Sequence, residues 1–268
     1  MEFGRLPFSF ENTNSSFWVI NSRGEKVLRD PGLENQTIGF DWEKYCSKQF
    51  SLDDMNYMYW ENFDFYVYES IGCDYERMGC VIEKGDVVVD IGGNIGMFTR
   101  RALQRGASKV IAFEPASKIF SCLLDNTPRN LVECHKMAVA GTNGTITLRY
   151  DSSTGIGGAS VVQDINHDES GSENVICMTL NRLFEIGILP NQIDFMKIDC
   201  EGAEKQILDD LTDQNLNKIK KIGMEFHANL LGHEAREAIT NRLTSNGFSH
   251  FTLFHGNGSE VTLNFWKS

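Results

Sequence analysis

Val87-Val88-Val89-Asp90-Ile91-Gly92-Gly93-Asn94-Ile95-Gly96 decides the fold class of this 268-residue chain. Three β-branched residues in a row show no alternation of apolar and polar faces, which is the pattern of a strand covered on both sides in a parallel sheet. The glycines that follow let the backbone turn tightly and approach a ligand with no Cβ in the way. A helical segment then runs from about Asn94 to Arg105, and its free N–H groups face the turn. Strand, glycine turn and helix in this order open a βαβ unit.

The rhythm continues downstream. Val110 to Phe113 reads as a second buried strand, Ser117 to Asn126 as a helix, and Met137-Ala138-Val139 as the end of a third strand. Thr145 to Arg149 alternates like an added antiparallel strand. Ile193 to Ile198 and Ile219 to Phe226 are further buried strands, separated by a helix from about Gly202 to Leu211. A helix from about Glu234 to Ser245 and two strands, Phe248 to Phe254 and Val261 to Trp266, finish the chain. Strands alternating with helices predict an α/β domain, with a parallel sheet and helices on both faces.

Upstream the character changes. Residues 1–68 read as an aromatic-rich appendage to a domain over 69–268. Phe17 to Ile20, a turn at Ser22-Arg23-Gly24, and Lys26 to Leu28 predict a β-hairpin. Aromatic residues crowd between Tyr57 and Tyr68; they fit either a packed core or a surface that stacks on sugar rings. Thr154 to Ser160 reads either as a lid over a substrate or as a flexible hairpin.

Composition narrows the function classes. A net charge of −12 and the lack of any basic run point away from nucleic acid and anionic membranes. No apolar stretch is long enough for a membrane helix, and the N-terminus lacks the layout of a signal peptide. Seven cysteines without paired spacing fit a reducing compartment, so a cytoplasmic protein is expected.

The turn itself is informative. Gly92 and Gly96 are spaced Gly-x-x-x-Gly, unlike the Gly-x-Gly-x-x-Gly of a dinucleotide binder. Asp90 would repel a pyrophosphate but favours an ammonium or sulfonium group. Glu114, at the end of the second strand, is placed to accept the two hydroxyls of a ribose.

Asp90 to Gly96, Phe113-Glu114-Pro115 and Lys197-Ile198-Asp199-Cys200-Glu201-Gly202-Ala203-Glu204 resemble the FkbM family of methyltransferases. Tyr75-Glu76 and Gly85-Asp86 match its pattern as well, and the likeness covers roughly Glu69 to His227. The resemblance implies the class I methyltransferase fold, Rossmann-like and built on a mostly parallel seven-stranded sheet, with S-adenosyl-L-methionine as donor and an O-methylated sugar, glycan or macrolide-type product. By position it implies that Asp90, Gly92, Gly93, Asn94 and Gly96 line the methionine and ribose of the cofactor. Glu114 and Pro115 then lie at the ribose and Met137 and Ala138 near the adenine, with Asp199 also in the cofactor set; Asn126 falls where it caps a helix.

Methyl transfer to an alcohol needs alignment of the oxygen and a base for its proton. Residues two apart on a strand share a face. Lys197 and Asp199 therefore point together, as do Glu225 and His227, at the carboxyl ends of strands expected to be neighbours. His227 or Asp199 is the expected base, with Lys197 and Glu225 as orienting or electrostatic groups; a buried ion pair is the competing role for Lys197. Asp199, Glu201 and Glu225, with His227 nearby, are also an expected ligand set for a divalent cation such as Mg2+. Glu204 opens a helix, where an acid suits the dipole. A nicotinamide-dependent oxidoreductase and a non-catalytic S-adenosylmethionine-binding protein stay open as alternatives.

Overall fold

A computed structural model describes residues 9–13, 16–20, 26–29, 75–150, 171–255 and 260–267. The chain divides into units of residues 1–73 and 74–268. In the first, β1 (Ser9–Thr13), β2 (Ser16–Ile20) and β3 (Lys26–Arg29) form an antiparallel sheet in that order. The expected hairpin is β2 with β3, with Val19 opposite Leu28. β1 was not expected, because Ser9-Phe10-Glu11-Asn12-Thr13 carries a single apolar residue. The aromatic run from Tyr57 to Tyr68 and the stretch from Thr154 to Ser160 lie outside the described residues.

The second unit is built on seven strands. β4 (Val87–Ile91), β5 (Lys109–Phe113) and β6 (Val132–His135) come first in the chain. β10 (Phe195–Ile198), β11 (Lys221–His227), β12 (Ser249–His255) and β13 (Glu260–Trp266) follow later. Their order in the sheet is β12-β13-β11-β10-β4-β5-β6. β6, β5, β4, β10 and β11 run parallel, and β13 is antiparallel between β11 and β12. This is the sheet of the class I methyltransferase fold.

The helices are α1 (Met97–Gln104), α2 (Ser117–Asn126), α3 (Leu180–Glu185) and α4 (Glu204–Asp210), then α5 (Asp213–Leu216), α6 (Ala228–Leu231) and α7 (His233–Ser245). Every residue of β10 is buried, and β4 is buried from Val88 on. Strands buried at consecutive positions are covered on both faces. Val89, Ile111, Met196, Ile222 and Met224 are fully buried at the centre of this core. The chain leaves β4 toward β5 and β6 and later returns on its other side as β10. The carboxyl ends of β4 and β10 therefore flank the point where strand order reverses, which is where open α/β sheets bind ligands.

Two expectations need correction. The third strand is Val132–His135, not the stretch ending at Val139. It lies at the sheet edge, paired only with β5, so it has no continuous apolar run to advertise it. Ala138–Val139 is instead β7, in a separate sheet of order β7-β9-β8 with β8 (Gly144–Tyr150) and β9 (Gly171–Met178). The alternating stretch around Thr145–Arg149 is β8, and β9 was missed. Among the described residues no helix is long and apolar enough to cross a membrane.

Candidate active site

The carboxyl ends of β4, β5 and β10 and the small sheet surround one cleft. Of the expected residues, Gly92, Asn94, Glu114, Pro115, Ala138, Asp199 and Glu201 line it, as does Met137. Ile119 and Leu148, which no sequence signal marks as facing a ligand, also line it, as does Cys200 of the Lys197–Glu204 motif. Leu148 was visible only as one member of an alternating strand; its inward side depended on β9. Ile119 belongs to the apolar side of α2, and nothing local marks it as facing a ligand.

At the β4 end the backbone does most of the building. Gly92 and Gly93 both donate their N–H to the Phe113 carbonyl, at 3.0 and 2.8 Å. Gly92 has φ +76°, and a Cβ there would sit 1.8 Å from the Asp199 carbonyl oxygen. Only glycine allows β4 and β10 to close in this way. Asn94 also takes a left-handed φ of 47°, and its N–H donates to Glu114 Oε2 at 3.0 Å. Ala116 N–H donates to Glu114 Oε1 at 2.8 Å. Burial pushes the Glu114 carboxyl up to about 7, against these two donors. Each carboxylate oxygen keeps a lone pair for a hydroxyl donor.

Asp90, Gly93 and Gly96 support this end without lining the cleft. Asp90 is fully buried and accepts from the Thr99 hydroxyl at 2.6 Å. Burial pushes its carboxyl up, despite Lys197 and Thr99. Asp90 sits beneath the turn, hydrogen-bonded to Thr99. A Cβ on Gly96 would meet Leu123 at 3.0 Å, so this glycine lets α1 and α2 approach. Asn126, the last residue of α2, donates to the Ile95 carbonyl at 2.6 Å.

At the β10 end the building material is charge. Lys197 is 2% exposed. Its Nζ donates to the Gly92 carbonyl at 2.7 Å and lies 3.3 Å from Asp199 and 3.7 Å from Asp90. It clasps β10 to the glycine turn, which is the ion-pair role weighed against a catalytic one, and it does not line the cleft. Burial pushes the Asp199 carboxyl up, but Lys197, His227 and Tyr75 outweigh it and hold the group below the usual carboxylate range. Tyr75 was noted only as part of a lead-in motif. Its hydroxyl lies 3.0 Å from Asp199 and 2.8 Å from Glu225. The backbone reaches this position because Gly223 leaves room for it; a Cβ there would be 2.4 Å from the Tyr75 carbonyl. Glu76, bonded to Arg101 at 2.8 Å, anchors the same segment.

His227 is held between two acids. Nδ1 lies 3.0 Å from Glu204 Oε1, and Nε2 lies 3.2 Å from Glu201 Oε2. Burial pulls the imidazole pKa down, but Glu201 and Glu204 push it up to about 12. An imidazolium with both N–H groups engaged has no lone pair to receive a proton, which argues against His227 as a general base in this arrangement. The expected metal set also changes. Donor atoms of Asp199, Glu201 and His227 lie within 4.8 Å of one another, whereas Glu225 is turned to Tyr75.

Comparison with known proteins gives the family. The chain is 28% identical over 224 residues to the AMB antimetabolite synthetase AmbE of Pseudomonas aeruginosa. That alignment takes in 68% of this chain but only 10% of AmbE, so the chain spans about a tenth of that relative. It is 28% identical over 194 residues to the 31-O-demethyl-FK506 methyltransferase FkbM of Streptomyces tacrolimicus, covering 60% of this chain and 74% of that one. Among solved structures, methyltransferase FkbM from Methylobacillus flagellatus is 14% identical with a TM-score of 0.44, over 81% of this chain and 62% of that one. Residues 90–249, more than half of the chain, match the family model of the methyltransferase FkbM domain, and the chain belongs to this family of methyltransferases.

Proposed function

We propose that the protein transfers a methyl group from S-adenosylmethionine to a hydroxyl oxygen of a small-molecule or carbohydrate acceptor. Membership of the family implies the donor; the oxygen acceptor is our reading. The cleft fits this cofactor in the chemistry of its walls. Glu114 offers carboxylate oxygens to a ribose, and Ile119, Met137, Ala138 and Leu148 offer an apolar slot to a base. The bound cofactor supplies an electrophilic methyl group.

The observation that carries the oxygen assignment is Asp199, a carboxylate lining the cleft and held in its ionised form by Lys197 and Tyr75. As an alcohol oxygen takes up a methyl group its proton becomes strongly acidic, so a weak carboxylate base suffices. Asp199 orients the hydroxyl by accepting its hydrogen bond and then takes the proton. Glu225, joined to Asp199 through Tyr75, steadies the pair. The name of the Streptomyces tacrolimicus relative places its own chemistry at an oxygen, which supports this reading. The net charge of −12 favours a small or uncharged acceptor over nucleic acid.

Thermal unfolding with S-adenosylhomocysteine, S-adenosylmethionine or NAD tests the cofactor. A ligand at about a hundred times its dissociation constant adds about 2.7 kcal/mol, a shift of roughly 5–11 °C for a unit of this size. Both sulfur nucleosides should produce it and NAD should not. With an acceptor found by screening alcohols and glycans, Asp199→Ala should lose turnover while S-adenosylhomocysteine affinity stays within a few-fold. Loss of both together would remove Asp199 from the chemistry.

A further inference from the structure

We propose that Asp199, Glu201 and His227 bind one first-row divalent cation of the Mn2+ or Zn2+ class at the acceptor end of the cleft, with Glu204 orienting the histidine. Metal–ligand bonds of about 2.1 Å put neighbouring donors about 3 Å apart and opposite donors about 4.2 Å apart. The three donor atoms already lie within 4.8 Å of one another. Glu201, whose side chain is 34% exposed and already faces His227 Nε2 at 3.2 Å, makes the remaining adjustment by rotation of its side chain. Asp199 Oδ2 is taken by Tyr75 and Lys197, which leaves Oδ1 for the cation; in the metal-bound form Asp199 acts on the acceptor hydroxyl through the cation and not as its direct base.

The histidine is arranged as a ligand. The cation takes the place of the Nε2 proton, which is released on binding; the proton left on Nδ1 is donated to Glu204 Oε1 at 3.0 Å, and the Nε2 lone pair faces Glu201. A buried carboxylate behind one ring nitrogen, with donor oxygens in front of the other, is the arrangement that fixes tautomer and direction in metal-bound histidines. Glu204 adds a separate indication. It is fully buried, and Oε1 collects the N–H groups of Cys200 and Gly202 as well as the imidazole. Oε2 has no hydrogen-bond partner among the described residues. A buried carboxylate left in this state is stabilised by positive charge beyond one imidazole shared with Glu201, and a dication on Nε2 supplies it through the ring. One nitrogen among the donors favours Mn2+ or Zn2+ over Ca2+ and Mg2+, which take oxygen.

Use of the cation to hold two neighbouring acceptor hydroxyls rests on the methyl-transfer reading of the cleft. Binding of the cation does not, so it is measured without cofactor or acceptor. The full chain, stripped with chelator, is titrated with Mn2+ while free Mn2+ is followed by electron paramagnetic resonance, and with Zn2+ by calorimetry. The expected result is one site per chain, weakened at least tenfold in Glu201→Gln and about 10–100-fold in Glu204→Gln. Glu201 is partly exposed, so its variant should fold; its unfolding temperature in chelator verifies this. No uptake by the wild-type chain, or wild-type affinity in a folded Glu201→Gln, would overturn the site and leave an ionic lock. S-adenosylhomocysteine binding to the stripped protein separates the two readings: a shift without metal uptake removes only the cation, and uptake without a shift removes only the cofactor assignment.

Discussion

The two ends of the cleft are made of different material. At the β4–β5 end, main-chain N–H groups, a left-handed glycine and asparagine, and one buried carboxylate do the work. At the β10–β11 end, Lys197 pairs with Asp199, His227 with Glu201 and Glu204, and Tyr75 joins Asp199 to Glu225. The first end is set by backbone geometry, and its chemistry is written in a few adjacent residues. The second is a balance of charges, where each group's protonation depends on the others. An end of the first kind suits a ligand of fixed shape; one of the second kind is easily retuned by exchanging a side chain.

Lys197 joins the two ends, so Lys197→Met should have the largest effect. It leaves Asp90 and Asp199 without their shared cation in a buried site, at a cost of about 3–5 kcal/mol. Thermal unfolding at neutral pH should fall by roughly 6–20 °C. The loss should shrink in acid, where the two carboxylates become protonated. A near-wild-type unfolding temperature would show that the ends stand independently.

Gly92→Ala strikes the glycine turn where it meets β10. Its Cβ would overlap the Asp199 carbonyl, at 1.8 Å, in a left-handed conformation. We expect a loss of about 1–3 kcal/mol, and S-adenosylhomocysteine affinity reduced more than tenfold by calorimetry. Retained affinity would move the cofactor elsewhere.

The subtlest test is the pH dependence at Glu114, whose carboxyl keeps its proton up to about 7 in the fold against an ordinary 4.5. A ligand donating hydroxyls to Glu114 binds the ionised form. S-adenosylhomocysteine affinity should therefore fall about tenfold per pH unit below about 7, and Glu114→Gln should flatten the profile. Stability of the ligand-free protein runs the other way: the contribution from this raised value is full below 4.5 and is lost as pH rises through about 7.

The same division explains what could be read in advance. The Val87–Val89 run, the glycine turn and Glu114 are local signals, and Asp199 and Glu201 follow a strand too apolar to lie anywhere but the core. These placed both walls of the cleft. His227 was expected as a base because its spacing from Glu225 is visible, whereas Glu204, twenty-three residues away, is what occupies its Nδ1. Tyr75 reaches Asp199 across 124 positions; the Tyr75-Glu76 motif marks its place in the family pattern but not its partner.

The amino-acid sequence by itself determined the alternation of strands and helices, the glycine turn and the acids beside it, because hydrophobic periodicity and backbone freedom act over a few residues. Only the tertiary structure decided that Val132–His135 is the edge strand and that β7, β8 and β9 form a separate sheet. It also decided that Asp90 and Lys197 lie beneath the cleft, and that His227 stands between Glu201 and Glu204. These are matters of register and charge pairing between distant segments. Burial then sets the proton on each group, which composition and spacing do not encode.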